Sequence, residues 1–307
     1  EVDSERKLFD EITKFSPSEI ICNESFYMSG VDIEDLRHRL KITIYALETW
    51  YFGDELAETT LLTHFKVKSL EALGLADYDC GMIAAGALLK YLYETQKNDL
   101  NNISVIHPYS TGKYMIIDSS TRRNLELVET NREKQKRGTL LWVLDRTKTA
   151  MGARLLRSYI EQPLIHKDEI IRRQDAVEEL NMNYISRTEL GEYLNTIYDL
   201  ERLIGRISYK TASPRDLIAF KTSLEMLPHI KRLLGEFQTG LLKELESELD
   251  PLEDIWDLIR RSIVEDPPIT VRDGGLIKEG FHADADRLRN AKNEGKPWLA
   301  ELDAREK

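Results

Sequence analysis

The sequence predicts an α/β region up to about residue 117, followed by an all-α region. The first part mixes short apolar or alternating runs, which are typical of strands, with segments whose apolar residues recur at helical spacing. From about residue 137 onward the helical spacing dominates, and only weak extended signals near 269–277 interrupt it. Strands interleaved with helices indicate an α/β fold, and an uninterrupted series of helices indicates an all-α fold.

The N-terminal region contains three predicted helices and four predicted strands. The helices span residues 4–15, 54–65 and 79–96, and the strands span residues 20–22, 40–46, 103–106 and 114–117. The third helix is rich in glycine and alanine, including Gly81 and Gly86. Such small side chains allow close approach to a sheet or to another helix.

Capping signals divide the helical region. Ser213 and Asp250 each precede a proline and an acidic first turn, so both are predicted to start helices. Residues 186–189 (Ser-Arg-Thr-Glu) fit a capping box, in which the first and last side chains bond each other's backbone amides. These signals therefore predict several helices of ordinary length in this region.

Proline and glycine mark the breaks that follow. Residues 266–268 (Asp-Pro-Pro) are predicted to stop one long helix, and residues 273–275 (Asp-Gly-Gly) to form a tight turn. A charged amphipathic helix is predicted over 281–302, with a kink near Gly295 and Pro297. Its apolar stripe is too thin to pack alone, so we expect it to need a partner helix.

The charge of the chain limits the classes of function. The formal net charge of the 307 residues is −11. Residues 1–117 hold 11 Lys and Arg against 19 Asp and Glu, a net charge of −8, and the remaining residues hold a net charge of −3. Because binding to DNA phosphates needs clustered Lys and Arg, this excludes a generic DNA-coating protein. The acidic N-terminal part is either a solvated surface or a face for a partner protein.

The cysteines and the apolar content indicate the cellular compartment of the protein, and the chain ends indicate whether it is a fragment. Cys22 and Cys80 have no spacing typical of a metal site or a disulfide, and no apolar run of about 18 residues exists. We therefore expect a reduced, cytosolic protein that does not enter a membrane. The first residues contain neither a signal peptide nor an initiator Met, and the last residues lie in a helical charge pattern. We expect both ends to be cut from a longer protein.

Patterns for catalysis are absent from the sequence. A P-loop requires Gly, four residues, and then Gly-Lys-Ser or Gly-Lys-Thr, and no segment has this spacing. The six histidines lack zinc-ligand spacing, and there is no Gly-x-Ser-x-Gly elbow. We therefore predict no catalytic, cofactor-binding or metal-binding residues in this chain.

One long signature carries the functional interpretation. Its segments are 119–127 (SSTRRNLEL), 138–145 (GTLLWVLD), 147–157 (TKTAMGARLLR), 162–164 (QPL), 199–202 (DLER) and 272–275 (RDGG). In this order and spacing they resemble the core of the MutS family of DNA mismatch-repair ATPases. The resemblance covers residues from about 1 to 307 and is strongest over 119–165.

The resemblance implies three parts. Residues 1–117 are similar to most of the family's connector domain, a ribonuclease-H-like α/β fold, but lack its first strands. Residues 118–280 are similar to the first portion of the helical core, and residues 281–307 to the start of a lever helix that runs toward a DNA clamp. The family's mismatch-reading domain and its ATPase domain, which uses ATP and magnesium, have no counterpart here.

The resemblance also implies a role and partners. The parent would bind mismatched double-stranded DNA, form a homodimer, act in the cytoplasm at the nucleoid and bind a MutL-type protein. This segment would carry allosteric signals between the ATPase and the clamp, without being an enzyme itself. Asp54, Glu55 and Glu58 on one predicted acidic helix are candidates for docking the MutL-type partner.

The signature provides the structural and allosteric candidates. They are Arg122, Arg123, Gly152, Arg154, Arg157, Pro163, Asp199, Arg202, Asp273 and Gly274. Arg154 and Arg157 share a helix face, so they pair with carboxylates such as Asp199 or Glu201, bond helix-end carbonyls, or bind phosphate. Gly152 lies in a helical stretch, where a glycine usually marks the close approach of another helix. Pro163 ends that helix.

A basic patch between the two regions has two interpretations. Its members are Arg122, Arg123, Arg132, Lys134, Lys136 and Arg137. It is either a hinge with solvated charges or a hinge that senses the bound state of the protein.

Three other functions stay open. A ribonuclease-H-like fold can be a magnesium-dependent nuclease, with clustered carboxylates holding the metal. The chain can also be a non-enzymatic helical scaffold, or part of a MutS homologue that acts on recombination intermediates. Flanking sequence, with Phe-x-Glu upstream and a P-loop downstream, would distinguish these interpretations.

Overall fold

A computed structural model describes residues 1–2, 4–15, 17–38, 40–97, 100–109, 114–268 and 271–291. The chain divides into two compact units. The first unit comprises Glu1–Arg146 and Leu155–Lys167, and the second comprises Thr147–Arg154 and Asp168–Lys307. Each unit is described separately.

The first unit combines helices with a small parallel sheet. Its elements are α1 (Glu5–Phe15), β1 (Glu19–Cys22), α2 (Glu24–Met28), α3 (Ile33–His38), β2 (Thr43–Ala46), α4 (Asp54–Phe65), α5 (Asp79–Gln96), α6 (Ser119–Asn124) and α7 (Leu140–Leu144). Strands β1 and β2 pair in parallel, with Ile20 opposite Ile44. Helices α2 and α3 lie in the crossover that a parallel pair requires. The predicted strand at 20–22 is confirmed, and the one at 40–46 is shorter, because Lys41 has φ 57° and cannot be extended.

The predicted strands at 103–106 and 114–117 are wrong. Ile103 and Ile106 pack against the apolar cluster of α4 and α5, and the amide of Ile103 closes a local turn on the carbonyl of Leu100 at 2.9 Å. Tyr114 forms only an isolated antiparallel bridge with Leu164. The first run is partly buried against helices and the second makes one bridge, so the described part of the chain has a sheet of two strands.

Helices α4 and α5 form the tightest packing of the first unit, and both have the predicted bounds. Gly86 on α5 lies against the backbone of Ala57 on α4, and a Cβ at Gly86 would stand 2.4 Å from the Cα of Ala57. The close approach predicted for this small-residue surface is confirmed. The side chain of His64 in α4 makes two further contacts in this region. Its ring nitrogens lie 2.6 Å from the hydroxyl of Tyr93 in α5 and 2.6 Å from the carbonyl of Ile103.

The second unit is helical. Its elements are the first residues of α8 (Ala150–Glu161), then α9 (Lys167–Met182), α10 (Tyr184–Asn195), α11 (Leu200–Ser208), α12 (Pro214–Leu234), α13 (Gly240–Glu248) and α14 (Glu253–Ser262). Among its described residues there is no strand, only an isolated bridge between Ile263 and Ile277. The predicted change from a mixed region to a helical region is therefore confirmed.

Helix α12 is the central helix of the second unit, because α10, α11, α13 and α14 all pack on it. It starts after the N-cap predicted at Ser213, and the structure adds a capping box there, in which the amide of Ser213 donates to Asp216 at 2.7 Å. The half before Pro228 packs with α11 and α14, and the half after it packs with α9 and α13. The buried Ser223 hydroxyl accepts a 3.0 Å hydrogen bond from the amide of Tyr198, which ties the α10–α11 connection to this helix.

Three local predictions for this unit need correction. Residues 186–189 lie inside α10 rather than at a helix start, and the Ser186 hydroxyl bonds Glu236. Helix α14 begins at Glu253, and Asp250 instead accepts from the amide of Leu252. The helix ends at Ser262, before residues 266–268, because the chain turns there to pair Ile263 with Ile277.

The turn and the last helix follow the predictions where they are described. Gly274 and Gly275 both have φ 71°, the left-handed conformation that favours glycine, so the predicted tight turn is confirmed. Residues 283–291 are helical. The predicted start at 281 is two residues early, because residues 281–282 are not helical. Residues 292–302 of the predicted helix, with the kink near Gly295 and Pro297, lie outside the described residues, as do residues 269–270 of the weak extended signal.

Candidate functional site

Arg154 connects the first turns of α8 to the start of α11. Its Nη1 and Nη2 atoms each donate a 2.8 Å hydrogen bond to one oxygen of Asp199, and Nη2 also lies 2.5 Å from Glu201. Asp199 is the N-cap of α11 and accepts from the amide of Arg202 at 3.3 Å. The pairing predicted for Arg154 is therefore confirmed, whereas its allosteric role stays a prediction.

This arrangement shifts the ionisation of both partners. The hydrogen bonds from the Arg154 guanidinium hold the pKa of the Asp199 carboxyl at about 2, below its ordinary value of 3.8. Hydrogen bonds to Asp199 and then Glu201 raise the pKa of Arg154. The Arg154 side chain is 49% exposed and that of Asp199 is 23% exposed. Partly exposed ion pairs of this kind contribute little net stability, so their effect is mainly on orientation.

Gly152 has a different role from the one predicted. A Cβ at this position would lie 3.0 Å from the hydroxyl of Thr149 and 3.6 Å from Thr147, so its close neighbours belong to the segment just before α8. The same Thr149 hydroxyl accepts a 3.0 Å hydrogen bond from the amide of Gly152. The glycine leaves room for this cap at the start of α8, and the predicted approach of another helix is wrong.

The end of α8 is held within the first unit. The guanidinium of Arg122 in α6 lies 3.6 Å from the carboxylate of Glu161 and donates to its carbonyl at 3.4 Å. Arg157, one turn earlier in α8, contacts the same carboxylate at 3.4 Å. Arg122 and Glu161 have side chains only 12% and 13% exposed. This cluster is therefore much less solvated than the pair at Asp199.

Glu161 was not among the residues predicted from the sequence. Arg157 was expected to pair with a carboxylate near residue 199, but its carboxylate is Glu161 on its own helix. The spacing of four residues from Arg157 was the available signal, since such pairs lie on one helix face. The contact of Arg122, 39 residues away, had no local signal.

The segment after α8 continues this arrangement. Pro163 follows the helix end as predicted, and its carbonyl accepts a 2.8 Å hydrogen bond from the amide of Met115. The bridge between Tyr114 and Leu164 lies next to it. The short segment that precedes α6 is thus fixed to the residues that follow α8.

The predicted basic patch is mainly a solvated surface in the structure. Arg123, Arg132 and Arg137 are exposed. Lys134 pairs with Glu129 at 2.9 Å, and Lys136 pairs with Asp145. Arg122 differs from the rest of the patch, because its side chain is only 12% exposed and lies against Glu161.

The remaining candidates lie apart from these contacts. Asp273 is at the end of a short 3-10 turn, Val271–Asp273, and Gly274 follows it in the tight turn. Asp54, Glu55 and Glu58 are exposed in the first turns of α4. Beside them, the half-exposed Trp50 stacks on Tyr51 with ring centroids 4.0 Å apart.

The comparisons with known proteins decide the family. The family model described as MutS domain III matches residues 120–307, and the model described as MutS domain II matches residues 1–104. The chain belongs to the MutS family.

Two curated MutS proteins illustrate the similarity. The DNA mismatch repair protein MutS of Lachnoclostridium phytofermentans is 61% identical over 307 residues, which is 100% of this chain and 33% of that protein. The MutS protein of Alkaliphilus oremlandii is 45% identical over 305 residues, which is 99% of this chain and 35% of that protein. The chain therefore spans about a third of the length of these MutS relatives.

The candidate residues fall in two groups, one within each MutS domain match. The acidic turn of α4 lies in the MutS domain II match, and both ends of α8 with their ionic partners lie in the MutS domain III match. Among the described residues, no group of three or more His, Cys, Asp or Glu side chains is arranged to hold a metal ion. No described helix has the length and apolar character of a membrane span.

Proposed function

We propose that this chain is the part of a DNA mismatch-repair protein that transmits conformational signals between an ATPase and a DNA clamp. In this proposal the parent binds mismatched double-stranded DNA and acts as a homodimer, and residues 1–117 correspond to its ribonuclease-H-like connector. Membership of the MutS family supports a role of the parent in DNA mismatch repair. The anchoring of helix α8 supports the role of this segment.

The observation that carries the proposal is that α8 has an ionic anchor at each end. Arg154 is bound to the N-cap of α11, and Glu161 is bound by Arg122 and Arg157. A helix whose ends are both held transmits a displacement of one end to the other, since its backbone bonds resist extension and bending. Exposed ion pairs such as Arg154–Asp199 exchange partners at small energetic cost, which suits a transition between two arrangements.

No pattern for a nucleotide site is found in the sequence or among the described residues. The sequence has no P-loop spacing, and the described carboxylates form no metal-binding group. In this proposal ATP and magnesium bind another part of the parent, as the family resemblance implies, and this chain only positions other parts of the protein.

The acidic turn of α4 is the proposed docking site for a MutL-type partner. Asp54, Glu55 and Glu58 are exposed on one helical turn, where a basic surface would be attracted to them. Trp50 adds a half-exposed aromatic side chain, of the kind that often anchors an interface. Together they offer charge for steering and an apolar anchor for affinity.

The test uses Arg154→Met in the full-length parent protein. Loss of the pair with Asp199 is expected to reduce the ATP-dependent change in affinity for mismatched DNA by about 2- to 30-fold. The matched control is Arg232→Met, which breaks an exposed pair between α12 and Glu189 of α10 in the same unit. An unchanged ATP effect in Arg154→Met, or an equal loss in the control, would contradict the proposed route.

A further inference from the structure

The second unit contains a cavity of about 280 Å³ between α12 and the start of α14. Leu224 and Pro228 on α12, with Pro251 and Trp256, supply its apolar walls. Its volume is close to the lower limit for small-molecule pockets, so it suits a ligand with a short apolar body.

The charged groups of this cavity are all acidic. Glu225, Glu253 and Asp257 line it, and no basic side chain is part of the lining described. Asp257 already pairs with Arg260 and Arg261, each at 2.6 Å. No ion-pair partner of Glu225 or Glu253 is found within the described part of the chain. Two carboxylates are therefore available to a cation that enters the cavity.

One backbone acceptor, the carbonyl of Leu224, adds to the specificity of the site. The indole nitrogen of Trp256 is buried and has no hydrogen-bond partner among the described residues. Because it is a hydrogen-bond donor, as an ammonium group is, it reports on occupancy of the cavity and does not bind the cation. Pro228 has no N–H, so it cannot make the usual helical hydrogen bond to the carbonyl of Leu224. The guanidinium of Arg260 lies 5.3 Å from the centroid of the Trp256 ring, so that face of the ring is already covered by a cation of the chain itself.

We propose that this cavity binds an alkylammonium group. Its apolar walls would contact the alkyl chain, while Glu225 and Glu253 would attract the ammonium at the exposed rim. A free aliphatic amine and a lysine side chain of another protein share this chemistry. The proposal does not depend on the role assigned to α8.

The test follows the Trp256 indole N–H signal by ¹⁵N NMR in the 307-residue chain. The signal is assigned among those of the four tryptophans by its loss in Trp256→Phe. The probes are n-pentylammonium, Nα-acetyl-lysine-N-methylamide and, as the neutral match, 1-pentanol, all at fixed ionic strength. We expect a saturable shift with n-pentylammonium, with a dissociation constant on the order of 1 mM for so small a ligand, and none with 1-pentanol.

Charge variants separate this site from general attraction to an acidic protein. Glu225→Gln and Glu253→Gln should each weaken binding by about fivefold or less but measurably. Glu248→Gln removes an exposed carboxylate on α13, outside the cavity, and should leave binding unchanged. Binding of the lysine derivative alone would support the site and assign its ligand to a side chain of a partner. No saturable shift with either amine, an equal response to 1-pentanol, or equal weakening in Glu248→Gln would overturn the proposal.

Discussion

Arg154 holds Asp199 through two hydrogen bonds of 2.8 Å, while Asp199 caps helix α11 through the amide of Arg202. One carboxylate thus does two tasks, because it fixes the start of α8 and satisfies an amide of α11. Loss of the cap and loss of the pair are separable by substitution, since asparagine can cap a helix but cannot form an ion pair.

Asp199→Ala is predicted to lower the free energy of unfolding by about 1–2 kcal/mol, because it removes the N-cap oxygen together with the pair. Asp199→Asn should cost less, because its amide oxygen still accepts from Arg202. Urea titration at neutral pH measures both values. Equal destabilisation by the two variants would show that the cap contributes nothing.

The pH dependence follows from the pKa of Asp199. Its folded pKa of about 2 is below the ordinary 3.8, so the carboxylate stabilises the fold fully above pH 3.8, and this stability is lost as pH falls toward 2. The difference in stability between the native chain and Asp199→Asn should therefore shrink between pH 4 and pH 2. In Arg154→Met, NMR titration of the Asp199 carboxyl should give a pKa closer to 3.8. An unchanged pKa in that variant would exclude Arg154 as the cause.

Gly86 and Gly205 provide a matched pair of helical glycines. Gly86→Ala should destabilise the chain by about 1–3 kcal/mol, because the added Cβ would overlap Ala57. Gly205→Ala on α11 has nothing within 4 Å of its added Cβ, so higher helix propensity should stabilise the chain by up to about 1 kcal/mol. Thermal unfolding of both variants measures the sign. Destabilisation by Gly205→Ala, or tolerance of Gly86→Ala, would contradict the packing described.

Local signals predicted much of the fold. The bounds of α4 and α5, the N-cap at Ser213 and the turn at Gly274 depend on residues close together in sequence, and all were predicted. The strands at 103–106 and 114–117 failed because a strand depends on a distant partner, and an apolar run can equally be buried against helices.

In the candidate site, too, contacts between residues far apart in sequence had no local signal. The pairing of Arg154 with Asp199, 45 residues away, was predicted only because both belong to one recognised signature. Glu161 was missed, although its contact with Arg122 is the more buried of the two anchors. Gly152 was predicted to mark a contact with another helix, and its hydrogen bond to the Thr149 hydroxyl was missed. That bond depends on the orientation of the hydroxyl, which the spacing of residues does not specify.

The acidic turn of α4 is testable with a charge-balanced control. Reversal of Asp54, Glu55 and Glu58 to Lys should weaken binding of a MutL-type partner to the parent by at least about tenfold, since steering and local attraction are both lost. The control reverses three exposed acidic residues elsewhere in the first unit: Glu24, Asp77 and Glu133. Equal weakening in both triple variants would assign the effect to net charge and remove this turn as the docking site.

The isolated chain should have no activity of its own. Because no P-loop spacing is present, the 307-residue chain is predicted to hydrolyse no ATP. Because the resemblance places the mismatch-reading domain outside this chain, the chain is also predicted to bind mismatched and paired DNA equally. A radiolabelled-ATP assay and a gel shift with matched duplexes measure this. ATP turnover above background, or a clear preference for the mismatch, would contradict the assignment of these functions to other parts of the parent.

The most direct test of signal transmission through α8 is a double-mutant cycle on its two anchors, Arg154→Met and Glu161→Gln, in the full-length parent. The quantity measured is the factor by which ATP changes the affinity for mismatched DNA. If one helix carries the signal, each single variant should reduce this factor, and the double variant should reduce it no further than the stronger single one. Independent, additive losses, or a factor that neither variant changes, would contradict transmission through α8.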